Sequence, residues 1–131
     1  MKLETLDKEA SDLVKNNKLL EGAEIYQDIL KQYNELNDEV KSSEPEYSQK
    51  FELEIREKLT ETKFKLEDYD SAIEEGLKIL EKLPVYVIYL RVGICFFKKG
   101  KYYKARDNLL KAKELFTGET EKIRNIELFY V

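Results

Sequence analysis

Apolar residues return at three- and four-residue steps along most of the chain, the spacing of amphipathic helices. Leu6, Ala10, Leu13 and Val14 mark a first helix, and Asn16 and Asn17 break it. Leu19, Ala23, Ile25, Tyr26, Ile29, Leu30 and Tyr33 mark a second. The stretch Ser42-Ser43-Glu44-Pro45-Glu46 is the clearest punctuation. Ser43 and Glu46 stand at capping-box spacing, and Pro45 is tolerated in a first helical turn. Phe51, Ile55, Leu59, Thr62 and Leu66 then hold helical phase up to Asp68. Asp68 is a natural N-cap for the next helix, which carries Tyr69, Ala72, Ile73, Leu77 and Leu80 and is ended by Pro84. Val85 to Phe97 is β-branched and aromatic enough for a strand. Its length, and Gly100 where a C-terminal cap belongs, predict a helix instead. Tyr102 to Phe116 form another, expected to stop at Thr117-Gly118. Glu119 to Val131 close the chain with Ile123, Ile126, Phe129 and Tyr130 on one side. The pattern predicts seven helices, no strands and an all-α fold.

Composition agrees and narrows the chemistry. With 131 residues the chain is one domain, and 5 Gly and 2 Pro leave few helix breakers. There is no His, which removes the commonest general base and metal ligand, and Cys95 is the only Cys, which excludes a disulfide framework and a multi-cysteine zinc site. No metal and no cofactor are expected. The N-terminus lacks the long apolar core of a signal peptide, and the run Val85 to Phe97 falls short of the roughly 20 residues a membrane span needs. These features point to a reducing, cytoplasmic type of compartment and to no membrane span.

Charge divides the chain unevenly. Residues 1–83 hold 13 Lys and Arg against 22 Asp and Glu, whereas residues 84–131 hold 10 against 5. The second part contains Lys98, Lys99, Lys101, Lys104, Arg106, Lys111 and Lys113 with Asp107 as their acidic neighbour. Such a stretch can dock on phosphates, anionic lipid or an acidic protein. A solvated helix face with a Lys-rich turn explains it more simply, and no nucleic-acid motif accompanies it.

The helix pairs repeat. Lys65-Leu66-Glu67-Asp68-Tyr69-Asp70-Ser71-Ala72-Ile73 aligns with Lys98-Lys99-Gly100-Lys101-Tyr102-Tyr103-Lys104-Ala105-Arg106, placing Ala72 and Ala105 33 positions apart. A third, degenerate copy carries Ala10, Leu13, Leu19, Gly22, Tyr26, Ile29 and Leu30. This resembles the tetratricopeptide repeat, whose period is about 34 residues with small residues where paired helices touch. Tyr89, Gly93, Phe96, Gly100, Tyr102, Ala105, Leu109 and Ala112 occupy the signature places of the last repeat. Leu59, Phe64, Tyr69, Ala72, Ile79, Leu80 and Pro84 occupy those of the middle one. The resemblance implies an α-solenoid of three antiparallel helix pairs in a right-handed superhelix. The repeats would cover about 4–37, 46–84 and 86–117, with a capping helix at about 119–130 within one domain. About 16 extra residues between the first two repeats are expected to lengthen the helices around Ser42–Pro45.

The resemblance also implies a groove lined by the first helix of each pair. Its groove places fall on Glu4, Asp7, Lys8, Ser11 and Lys15, on Glu54, Glu57, Lys58, Glu61 and Lys65, and on Val87, Leu90, Arg91, Ile94, Phe97 and Lys98. The layout is similar to that of immunophilin-type co-chaperones, whose carboxylate clamp would fall on Asp7, Ser11, Lys58, Val87 and Arg91. Of these only Arg91 matches, with Lys58 a partial charge substitute. An acidic tail would meet Asp7, Glu57 and Glu61. Tyr86 to Gly93 with Lys101-Tyr102 also resembles the mitochondrial fission adaptor family, although the C-terminal membrane anchor of that family is not expected here.

The first helix of the last repeat is apolar nearly all round. Tyr86, Tyr89, Val92, Gly93 and Phe96 account for internal packing, which leaves Val87, Leu90, Ile94 and Phe97 for the groove. Either this face is an open apolar groove for a partner segment, or the insertion folds over it. The carboxylate pairs Glu74/Glu75 and Glu119/Glu121 lie on polar helix faces, Cys95 has no His to activate it, and no Gly-rich phosphate loop occurs. The expectation is a non-catalytic adaptor that takes an apolar or amphipathic segment of a protein partner on Val87, Leu90, Ile94 and Phe97. Arg91 and Lys98 would steer acidic flanks, and Lys58 belongs to the same groove. The alternatives are a structural subunit of a larger assembly, or a co-chaperone with a rebuilt clamp.

Overall fold

The computed structural model describes the backbone of residues 2–43 and 49–123, and the side chains within those segments apart from Lys2, Ser42 and residues 118–123. Among the described residues the chain is helical throughout, with no strand. Seven helices follow in order: α1 (Lys2–Lys15), α2 (Leu19–Glu35), α3 (Asp38–Ser43), α4 (Gln49–Lys65), α5 (Tyr69–Leu80), α6 (Tyr86–Lys98) and α7 (Tyr102–Ile123). Each long helix packs against its neighbours in sequence, giving a solenoid-like row of helix pairs.

The pairs α1–α2, α4–α5 and α6–α7 share one turn. A residue with left-handed backbone stands two positions before each second helix: Asn17 (φ 63°), Glu67 (φ 61°) and Gly100 (φ 78°). At all three places the next amide reaches back five residues to close the helix end. Lys18 N–H donates to Leu13 O at 2.8 Å, Asp68 N–H to Lys63 O at 3.0 Å, and Lys101 N–H to Phe96 O at 2.9 Å. This closure satisfies carbonyls that a helix end otherwise orphans. The equivalence of Ala72 and Ala105 read from the sequence therefore holds in space and extends to Gly22, since the three amides donate to Asp68, Lys101 and Lys18 O, each at 3.0 Å.

Small residues set the spacing inside the pairs. A Cβ on Gly22 would stand 2.6 Å from Val14 Cγ2 and 3.2 Å from Ala10 O. One on Gly93 would stand 2.8 Å from Leu109 Cγ and 3.2 Å from its backbone nitrogen. Between pairs, a Cβ on Gly76 would stand 2.7 Å from Val92 Cγ2. Two core clusters result. One joins α1, α2 and α4 through Ala10, Tyr26, Ile29, Tyr33, Phe51, Ile55 and Leu59. The other joins α5 and α6 through Ala72, Ile73, Ile79, Ile88, Val92 and Cys95, with Leu53 and Phe64 of α4 against it. α4 serves both cores, and its buried Thr60 and Thr62 hydroxyls donate to the carbonyls of Arg56 and Lys58, each at 2.8 Å.

Two boundaries differ from the sequence expectation. The insertion does not lengthen α2 and α4. Leu36 turns extended, and the Asn37 side chain accepts from Val40 N–H at 2.8 Å, starting α3 as a separate short helix. Pro45 and Glu46 lie outside the described residues, as does the rest of the expected capping box beyond Ser43. The expected stop at Thr117-Gly118 does not occur, because α7 runs through both to Ile123. The Thr117 hydroxyl donates to Lys113 O at 2.8 Å, a bond compatible with helix continuation, and one interior Gly costs only about 1 kcal/mol. Residues 119–123 thus belong to α7, not to a separate capping helix, while 124–131 lie outside the described residues.

Asp68 caps α5 as expected, accepting from Ser71 N–H at 3.3 Å. Partial burial disfavours its ionised form, but the Ser71 hydrogen bonds and the Lys63 ammonium outweigh that and hold the carboxyl below its ordinary value. A depressed folded-state pKa contributes stability above the unfolded value, and that contribution is lost as acid protonates the cap. Asp68→Ala should cost about 1 kcal/mol at neutral pH in urea denaturation, and the gap to wild type should narrow below about pH 4. Gly93→Val should cost roughly 2 kcal/mol in the same assay, because the side chain has no room against Leu109.

Candidate functional site

α1, α4 and α6 present one common face, and cross-helix ion pairs fix it. Lys58 Nζ of α4 reaches Asp7 of α1 at 2.9 and 3.1 Å. Arg91 Nη2 of α6 reaches Glu61 Oε2 of α4 at 2.9 Å, and Lys65 Nζ approaches the other oxygen of Glu61 at 3.5 Å. Ser11 hydrogen-bonds the Tyr26 hydroxyl at 3.0 Å and lies 3.5 Å from Asp7. Burial raises the Tyr26 pKa, partly offset by Ser11, so the phenol stays protonated and tied to this network.

These contacts change what the face can recognise. Lys58 and Arg91, the cations that the clamp alignment singled out, are neutralised by carboxylates of the chain itself. Glu61, read from the sequence as a repelling anion, is the partner of Arg91. Nothing in the sequence announces pairs separated by 51 and 30 positions. The Arg91 side chain is only 19% exposed, and its Nη1 is buried without a hydrogen-bond partner. The guanidinium is therefore built into the seam between α4 and α6 rather than offered to solvent.

The apolar places behave differently. Val87, Leu90, Ile94 and Phe97 follow one another along α6 at helical spacing. Leu90 is 40% and Phe97 55% exposed, Val87 and Ile94 are half-buried, and Lys98 is exposed beside them. Ile88, Val92 and Cys95 on the opposite side are fully buried, so the core claims that side and leaves the row open among the described residues.

The other candidates resolve into structure. Glu74 is exposed, but Glu75 is not a solvated partner to it. Glu75 accepts from Arg56 Nη1 at 2.7 Å, and Arg56 also reaches Glu52 at 3.4 Å, a charge network that ties α4 to α5. The side chains of Glu119 and Glu121 lie outside the described residues. Burial pushes the Cys95 thiol up to about 11, which makes it a core group and a poor nucleophile. Among the described residues no cluster of three or more His, Cys, Asp or Glu converges as a metal site, and no helix is long and apolar enough to cross a membrane.

No protein-family model matches the chain, and no curated protein is similar enough to count as a relative.

A double-mutant cycle on Glu61→Gln and Arg91→Met should give a coupling of roughly 1 kcal/mol that shrinks as salt is added. Cys95 should react with a thiol reagent only as the protein unfolds; rapid reaction of the folded chain would contradict its place in the core.

Proposed function

We propose that the chain is a non-catalytic protein-interaction scaffold of tetratricopeptide-repeat type. Its binding surface is the α6 row of Val87, Leu90, Ile94 and Phe97, and its target is an apolar or amphipathic segment of a partner protein. The observation that carries the reading is the contrast on one face: Lys58 and Arg91 are paired with Asp7 and Glu61, whereas Leu90 and Phe97 of the apolar row stay largely exposed among the described residues. Exposed apolar rows of this kind mark interaction sites, and a helix lays its own apolar stripe into them at matching spacing.

The internal pairs also bear on the alternatives. A clamp for acidic tails needs cations with unmet charge, and here Lys58 and Arg91 would have to leave Asp7 and Glu61 first. Lys98 remains for an acidic flank. The three equivalent turns support the repeat assignment, because each recreates the same geometry from a different sequence.

The test is a pull-down from native extract that compares wild type with Leu90→Asp and Ile94→Asp, each checked by circular dichroism. The reading expects one small set of partners to fall by about tenfold or more with both variants. Retention of the same partners by both folded variants would refute it.

A further inference from the structure

A second surface adjoins the α6 row at Phe97 and continues along the last helix. Phe97 at the end of α6, with Tyr102, Ala105, Arg106, Leu109, Leu110 and Lys113 of α7, lines a recess of about 430 Å³. The α7 residues fall three, four and seven apart, so the recess follows that helix for about three turns. Leu109 packs on Gly93 and Ala105 is buried, which makes them the floor on the α6 side. Phe97, Tyr102 and Leu110 form apolar walls and are 55%, 63% and 57% exposed.

The rim is basic and its charge is largely unmet. No carboxylate among the described residues pairs with Lys98, Lys101 or Lys113, and Arg106 has only an exposed contact with Asp107 at 3.6 Å. Lys98 and Lys101 flank Phe97 and Tyr102 in sequence, while Arg106 and Lys113 line the recess itself. Lys58 and Arg91 of the α1–α4–α6 face are paired with Asp7 and Glu61, so the unpaired cations around the recess carry the attraction for an acidic partner.

We infer that the α7 recess is a second docking site, and that its occupant is an amphipathic helix of another protein with an apolar stripe flanked by Asp and Glu. Three turns of α7 match the contact length of such a helix, and Ala105 between larger walls provides a hole for an apolar knob. A lipid surface fits less well, because the apolar groups line a depression rather than a protrusion. A nucleic acid also fits less well. Phe97 and Tyr102 pack edge-on to each other at 5.5 Å, and Arg106 lies over one face of the Tyr103 ring at 5.5 Å, which reduces the ring surface left for stacking.

The full chain would be titrated by fluorescence anisotropy with two stapled helices of about three turns. Both carry the same leucine stripe, one flanked by Glu and the other by Lys. The Glu-flanked helix should bind at least about tenfold more tightly than the Lys-flanked one at low salt, with the preference falling as salt rises. Leu110→Glu, at an exposed position that folding does not need, should abolish binding. The pair Arg106→Glu with Lys113→Glu should reverse the preference between the probes. All titrations use the full chain carrying Leu90→Asp, which disables the α6 row for these probes, so failure here is separable from failure of the α6 reading. Equal binding of the two probes, no binding, or indifference to Leu110→Glu would overturn the inference. Binding that emerges only when residues 124–131 are removed would overturn it in favour of the chain's own segment. Leu110-dependent sedimentation with phosphatidylserine vesicles, without binding of the Glu-flanked helix, would overturn it in favour of a lipid surface.

Discussion

The fold depends on helices being able to touch. At Gly22, Gly76 and Gly93 a single Cβ would come within 2.6 to 2.8 Å of the facing side chain. A hydrogen there lets the backbones close up, so that larger side chains such as Tyr26, Ile29, Ile88 and Val92 fill the space to either side. The turn before each second helix makes that approach repeatable. One left-handed residue and one amide reaching back five positions fix how each second helix leaves the first. In two of the three turns a non-glycine residue adopts this backbone, a local cost of about 1 kcal/mol that the packing outweighs.

Stacking the pairs brings α1, α4 and α6 onto one face and determines its chemistry. α4 sits between two cores and holds its neighbours with charge as well as apolar contact: Lys58 to Asp7, Glu61 to Arg91, and Arg56 to Glu75. Partly exposed pairs contribute little stability each, but they specify which residues face one another across the row. They also consume the charge that a salt-bridging recognition site would need. What the stack leaves over is apolar on α6 and basic–apolar on α7, at the end of the row where no further pair follows among the described residues.

Much of this was legible from spacing alone. The six long helices, the Asp68 cap, the Gly100 turn and the equivalence of Ala72 and Ala105 are local features, set by residues within a few positions of one another. Two features misled. Thr117-Gly118 reads as a stop, but one Thr and one Gly cost too little to end a helix that continues to Ile123. The insertion reads as longer helices, but Asn37 starts a new one. The ion pairs were not legible at all, since Glu61 and Arg91 look like a repulsive and an attractive groove residue until the fold places one on the other. The exposed row on α6 was legible as a surplus of apolar residues, because one helix cannot bury every side it has.

The central claim is that the α6 row stands open to solvent while its opposite side is core. Solvent paramagnetic relaxation on the methyl-labelled full chain tests this most directly, with a neutral soluble gadolinium chelate as the probe. The account predicts strong relaxation of the Leu90 methyls and little at Ile88, two positions away on the same helix. Leu90 methyls as protected as those of Ile88 would mean that another part of the chain covers the row, and would contradict it.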